Sequence, residues 1–296
     1  MKKLRVGFLV DDLETNKCIA ELISFVGNEE YFDDPVIITG YKSQKFKSFF
    51  EKLINKFKEN PKKFLNNIFL SFLLKIIKYI EIKTISKRDP EYLKKINLRN
   101  FNFIKLIKVV GNWSKSKLYL DFTKEDLSLI SQNQLDCIVR CGSGIIKGEI
   151  LNLTNYGVIS FHHGDNRVNR GGPSGFWEVF NNEPSSGFII QKLNQELDGG
   201  EVLFRGNIMT SNLWLDNELK LLEKSNIFLK RLLTQIAIEK KLPEKEGVRL
   251  HGVNLYKLDS SLVLLKYILT IIIPKIFNNI LSKLLSPKVN RWSVAF

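Results

Sequence analysis

The first forty residues constrain the fold most. Leu4 to Val10 (LRVGFLV) is a short apolar run, and after a polar turn Ile19, Leu22, Ile23 and Val26 recur at helical spacing; Asp34 to Gly40 (DPVIITG) is apolar again. Strand, amphipathic helix, strand is a βαβ unit, whose crossover is right-handed and whose two strands therefore run parallel. The chain is thus of the α/β class.

The pattern continues with Lys105 to Val110 (KLIKVV) as a third strand and Leu135 to Arg140 (LDCIVR) as a fourth. Between them Thr123 to Ile130 reads as a helix capped by Thr123, with Asp126 three residues on to complete a capping box. Gly187 to Leu193 and Val202 to Met209 read as further strands, and Leu219 to Ile238 as a helix beside the sheet. Residues 41–104 exceed what a minimal α/β unit needs. They form an insertion rich in Lys and Phe, with Phe46, Phe49, Phe50, Leu53 and Phe57, then Phe69, Phe72, Leu73, Ile76 and Ile77, at helical intervals on either side of Pro61. Two helices are expected there. Leu262 to Leu285 is similarly apolar, and the chain runs on to a strand-like Trp292 to Phe296, where a further domain is one continuation. The resulting division is an α/β domain over 1–212 interrupted by 41–104, and a helical region over 213–296.

Net charge is +14, and its distribution decides what it means. Residues 1–40 hold 4 basic and 8 acidic side chains, 41–120 hold 20 and 5, 121–240 hold 12 and 15, and 241–296 hold 9 and 3. A chain that coats nucleic acid with its body is basic across its working surface, whereas here the body is slightly acidic and two flanks are basic. No nucleic-acid partner is expected. Apolar faces flanked by lysine, over 43–80 and 261–285, are what an interfacial helix requires, so peripheral association with the inner face of a membrane stands beside the plainer reading of a solvated basic face.

Cys18, Cys137 and Cys141 are too few and too unevenly spaced for a disulfide framework, and no CxxC pair points to zinc or another metal. A cytoplasmic setting is expected, because Asp11 and Asp12 also cut the first apolar run too early for a signal peptide. No membrane span is expected either. Ile68 to Ile80 contains Lys75 and Lys78, and Ser261 to Ile273 contains Lys266 and meets Pro274.

Chemistry concentrates between Gly157 and Asn207. Gly157 to Ser160 reads as a strand end, which delivers Ser160, Phe161, His162 and His163 to the carboxyl edge of a parallel sheet, where sites in such sheets form. The strand over Gly187 to Leu193 feeds the polar turn Gln195, Glu196, Leu197, Asp198, Gly199, Gly200. A histidine and a carboxylate reaching one crevice from two strand ends supply what acyl transfer to an amine needs: a group that manages protons, and a donor for the oxyanion.

These residues resemble the folate-dependent formyltransferases, a family that includes methionyl-tRNA formyltransferase, glycinamide ribonucleotide transformylase and the sugar N-formyltransferases. The shared pattern is a strand, Asn-x-His, an Arg-Gly eight residues further on, another strand and a Leu-Asp-x-Gly turn. Here His162 takes the histidine position, Arg170 and Gly171 the Arg-Gly, and Leu197-Asp198-Gly199-Gly200 the turn; Leu135 to Leu151 is similar to the preceding strand and loop. The resemblance implies a Rossmann-like, mostly parallel sheet (the formyltransferase fold), to which the residues read above add a helical insertion and a helical C-terminal flank. It implies N10-formyltetrahydrofolate as formyl donor, with Gly144, Ile145 and Ile146 cradling the pterin and Gln195 and Glu196 on the same side. His162 then stabilises or protonates the oxygen of the tetrahedral intermediate, and Asp198 positions His162 and helps remove the amine proton.

Two departures shape the expected substrate. The family's asparagine is Ser160 here, and loss of such an oxyanion donor costs about 2.7–4 kcal/mol of barrier unless closer backbone or a water compensates. Gly164-Asp165-Asn166-Arg167 replaces a Ser-Leu-Leu-Pro run, so His163, Asp165, Arg167 and Arg170 form the acceptor side, with the arginines suited to anionic groups. The methionyl-tRNA enzymes carry a β-rich C-terminal barrel, whereas 241–296 reads as loop and apolar helix. The leading function is formyl transfer to an amino sugar, nucleotide-linked or lipid-linked, in surface-glycan biosynthesis. The alternative is a degenerate fold that binds glycan or a protein partner, for which Ser160 argues. Gly142-Ser143-Gly144 lacks the spacing of a dinucleotide site. Plainer roles are expected for Asp11 and Asp12 (helix capping) and for Phe176 and Trp177 (core packing).

Overall fold

The computed structural model describes residues 2–40, 60–85, 90–102, 104–115, 118–142, 144–168, 170–195, 200–246, 255–258 and 260–285. The chain divides into two units, Met1–Lys52 with Pro90–Lys257, and Leu53–Asp89 with Leu258–Phe296. The strands of the main sheet are β1 (Val6–Val10), β2 (Val36–Thr39), β3 (Lys105–Lys108), β4 (Cys137–Cys141), β5 (Val158–His162), β6 (Ser185–Lys192) and β7 (Glu201–Met209). The helices are α1 (Lys17–Asn28), α2 (Pro61–Ile80), α3 (Lys124–Ser131), α4 (Phe176–Phe180), α5 (Trp214–Glu239), α6 (Ser261–Tyr267) and α7 (Ile273–Leu285).

In the first unit the sheet order is β7-β6-β5-β4-β1-β2-β3. Neighbours from β5 to β3 pair in parallel, and β6 is antiparallel to both β5 and β7. The mostly parallel α/β sheet of the sequence reading is therefore present. Each central strand feeds two layers by alternation. Val6, Phe8 and Val10 of β1 and Cys137, Val139 and Cys141 of β4 pack with Leu22, Ile23 and Val26 of α1 and Leu229, Leu233 and Ile236 of α5. Leu9, Ile38, Ile138 and Val158 face the other way, against Leu127 and Ile130 of α3. Thr123 caps α3 with the reciprocal bonds of a capping box to Asp126, as its sequence requires.

Because α5 buries these leucines against the sheet, it belongs to the first unit, and the sequence-based boundary at 212 moves to 257. All three thiols are buried in this unit. Burial pushes Cys18 and Cys141 up to about 12, and Cys137 higher still.

In the second unit α2 begins at Pro61, where the sequence breaks its pattern, and packs along α6. Their seam buries Leu73, Ile77, Leu264, Tyr267 and Ile272. Inside it the Tyr267 hydroxyl donates to Glu81 at 2.5 Å. The helix expected before Pro61 lies outside the described residues, as does Trp292 to Phe296.

As the apolar stretch 262–285 leads one to expect, the chain is helical from Ser261 to Leu285, and it passes Pro274 with a π-helical turn over Ile268–Ile272. Proline has no N–H and its ring crowds the carbonyl four residues back, that of Thr270; a widened turn just before it relieves both demands. As a result Ser261–Ser282 is long and apolar enough to cross a membrane by length and composition, with mean hydropathy 1.6, and the ground on which a span was discounted does not hold.

Candidate active site

Strand β5 sorts its side chains by parity. Val158 belongs to the α3-side layer, and Ile159 and Phe161 to the α1/α5 side, so Ser160 and His162 share the α3-side face while His163 follows Phe161. His163 Nε2 lies 2.8 Å from Ser225 Oγ of α5, and its ring sits 5.0 Å from Phe161. Burial, and then the neighbouring His162, push its pKa down to about 3, so it is neutral at physiological pH. Two adjacent histidines therefore do different things: His163 ties β5 to α5, and His162 is half-buried at the carboxyl edge, its Nε2 shielded from solvent.

Ser160 stands between two buried polar residues, with Arg140 of β4 and Gln191 of β6 as its lateral partners. Its hydroxyl donates to the Phe161 carbonyl at 3.3 Å. Arg140 shares the face of Ile138, hence that of Ser160, and pairs with Asp11 at 3.7 Å. Gly142 makes this possible, since a Cβ there would collide with the Arg140 guanidinium and the Asp11 carboxylate. Asp11 thus has a different task from the one read in sequence. The cap of α1 is Asn16, which accepts from the Ile19 N–H at 3.1 Å, and Asp12 accepts from Leu13 N–H at 2.7 Å. Arg140 was not singled out in the sequence; a charged residue in the middle of LDCIVRC was the available signal.

The second strand end arrives differently from the sequence expectation. Since β6 is antiparallel to β5, its last residues meet the first of β5, and Leu193 N–H donates to the Val158 carbonyl at 2.8 Å. That is four residues, or about 13 Å of strand, before His162. The two strand ends therefore do not share one sheet edge. Gln195 exchanges amide contacts with Gly148 at 3.4 and 3.5 Å, and Gly200 lies so close to Gln191 that a Cβ would stand 2.7 Å from its Oε1. Glu196 and Asp198 lie outside the described residues.

Gly144, Ile145 and Ile146 form the neighbouring loop. Gly144 takes φ +85°, and a Cβ there would stand 2.8 Å from the Trp113 ring, so two constraints select glycine. The short strand Ile145–Ile146 pairs with Tyr119–Asp121 through Ile145 N–H to Leu118 O (2.8 Å) and Lys147 N–H to Leu120 O (3.0 Å). The intervening peptide groups of Ile146 point to the opposite edge, which pairs with no other strand among the described residues. The Ile146 N–H and C=O at that edge, beside the buried Ile146 side chain and Trp113, fit a flat heteroaromatic ring with an amide-like edge, as a pterin has.

On the other flank Asp165 is only 6% exposed and is held by two guanidiniums, Arg167 at 2.8 Å and Arg205 of β7. Burial alone would raise its pKa; the hydrogen bonds from Arg167 and the charge of Arg205 more than offset this and hold it below the usual carboxylate range. Glu246 pairs with Arg205 at 2.7 Å. Gly187 lets the loop sit on β6, for a Cβ there would stand 2.6 Å from that of Asp165. Asp165 therefore shapes the loop, and Arg167, with a half-exposed side chain, is the group left facing solvent. Arg170 lies in a short strand paired in parallel with Leu255–Tyr256. Trp177 stacks 5.1 Å from Tyr256 and donates to the Gly172 carbonyl, in keeping with packing. A separate cavity of about 920 Å³ opens at the amino edge of the sheet, where Arg5 is spent on Asp33 and Gln134.

Two solved structures are similar over most of the chain. A phosphoribosylglycinamide formyltransferase from Anaplasma phagocytophilum matches with TM-score 0.51 at 12% identity, over 86% of this chain and 100% of its own. A 4-N formyltransferase from Francisella tularensis matches with TM-score 0.50 at 15% identity, over 90% and 88%. The chain has the formyltransferase fold. No protein-family model matches the sequence, and no curated protein is similar to it. Within the formyltransferase fold, the residues described above fall at the carboxyl end of β5 and on the loops that flank it.

Proposed function

We propose that the chain is an N-formyltransferase that moves a formyl group from N10-formyltetrahydrofolate to the amine of an amino sugar in surface-glycan biosynthesis. The observation that carries the reading is Ser160 and His162 on one face at the carboxyl end of β5, in a chain of the formyltransferase fold. The donor would supply an activated formyl carbon, and Gly144, Ile145, Ile146 and Gln195 would hold its pterin side.

The roles of the chain's own residues follow from their surroundings. His162, with a solvent-shielded Nε2, steadies the formyl oxygen as negative charge develops and manages its proton. Ser160 is half-buried beside it and is the second donor toward that oxygen. Arg140, buried at the lateral position to Ser160, adds positive potential on the same face, which favours a developing anion in a site of low dielectric. Asp198 accepts the amine proton. Arg167 and Arg170 suit anionic groups on the acceptor.

One assay decides between this and a non-catalytic, glycan-binding fold, a reading that the engagement of Ser160 Oγ with the Phe161 carbonyl favours. Purified protein is incubated with N10-formyltetrahydrofolate and 3-amino and 4-amino nucleotide sugars, and products are examined by mass spectrometry. Formylated sugar supports the enzyme. Binding of sugar with no formylation and no folate binding overturns it.

A further inference from the structure

The second unit leaves a face that water does not favour. On α2, Leu65, Ile68, Phe69 and Phe72 are exposed, and along α6 and α7 so are Leu262, Leu269, Ile273, Phe277, Ile280 and Leu284. From Leu269 onward the exposed apolar residues recur every three or four positions, which makes a stripe along one side of the helix. A core helix of a soluble protein can have the same composition, but it is buried; here only 17% of the most apolar window is. The thin seam of Leu73, Ile77, Leu264, Tyr267 and Ile272 accounts for what is covered.

Charge identifies the occupant. The segments Leu53–Asp89 and Leu258–Phe296 hold 14 basic and 4 acidic residues, so ten of the fourteen net positive charges of the chain lie in 76 of its residues. A second copy would bring the same +10 against itself. An anionic surface with an apolar interior answers both properties at once, and each basic residue near such a surface adds about fivefold to binding. Helix α7 further distinguishes lying in the interface from spanning it: Lys275, Asn278, Asn279, Ser282 and Lys283 alternate with its apolar residues, which would put charge and amide groups in hydrocarbon if the helix crossed.

We infer that α2 together with α6 and α7 forms a membrane-docking unit, which seats its apolar stripe at the headgroup boundary of an anionic bilayer. This goes beyond the formyl-transfer reading and stands or falls without it.

The test is co-sedimentation of the full chain with vesicles of phosphatidylglycerol and phosphatidylcholine, against phosphatidylcholine alone. Binding to the anionic vesicles at about 0.05 M salt, at least tenfold tighter than to neutral ones and weakened at about 0.5 M, is expected. Lys62→Gln with Lys75→Gln lowers that affinity about 25-fold. Ile273→Asn with Phe277→Asn, both at exposed positions, abolishes it while the circular dichroism spectrum is unchanged. Three results overturn the inference: full recovery in the supernatant at low salt, a dimer that these stripe variants dissociate, or cellular protein that leaves the membrane only with detergent, which marks a span.

Discussion

His163 Nε2 lies 2.8 Å from Ser225 Oγ, on the face of β5 opposite to that of His162. Its pKa of about 3 in the fold lies below the ordinary value of 6.5, so the unfolded chain binds a proton that the native state refuses. Stability is therefore full above about pH 6.5 and falls as the pH drops through that value, by up to about 1.4 kcal/mol per unit. Urea midpoints measured at about pH 7 and about pH 5 should differ in this direction. In His163→Gln the part of the slope due to this residue should vanish; an unaltered slope would place the proton elsewhere.

For catalysis, His162→Ala should lower formyl transfer by about 10²- to 10⁴-fold with an unchanged urea midpoint. Turnover close to that of the native chain would remove His162 from the reaction. Ser160→Asn should raise kcat, by up to about 10²-fold, because an amide reaches further than a hydroxyl. An equal rate would mean that Ser160, or a water it holds, already supplies the donor.

Asp165 is the anchor of its loop. Replacing it with alanine leaves Arg205, whose side chain is 10% exposed, with a buried charge that Glu246 only partly answers. A loss of about 3 kcal/mol is expected, at the lower end for a broken buried pair. Denaturant titration checks this, and a shift within about 0.5 kcal/mol would show the loop to be held by Gly187 packing alone.

Thiol chemistry offers a simple check of the core. Cys18, Cys137 and Cys141 are buried and their thiolates disfavoured, so Ellman's reagent should label none in the native protein and all three in denaturant. Rapid labelling of the native chain would contradict the placement of β4 and α1.

Local rules carried much of the fold. The strand-helix-strand opening, the Thr123 capping box and the start of α2 at Pro61 are decided within a few residues of each other, by propensity, capping and apolar period, and each is found where those rules put it. The stretch carrying Ser160 and His162 was legible for the same reason, since a strand end is a local event. Other assignments turned on partners distant in sequence. Asp11 looked like a cap because the cap rule is local, while its ion-pair partner Arg140 is 129 residues away. Pro274 looked like the end of a possible span because the sequence does not show that a π turn can precede it and carry the helix on.

What the sequence determined by itself is the α/β class, the position of the Ser160–His162 strand end and the confinement of positive charge to the flanks. All three depend on residue order and composition alone. The tertiary structure decided that His163 turns to α5, that β6 runs antiparallel so its last residues meet the first of β5, and that α5 belongs with the first unit. It also decided how much of the lysine-rich flank is exposed. Strand direction, side-chain partners and burial are properties of pairs of distant segments, and they exist only once the chain has brought those segments together.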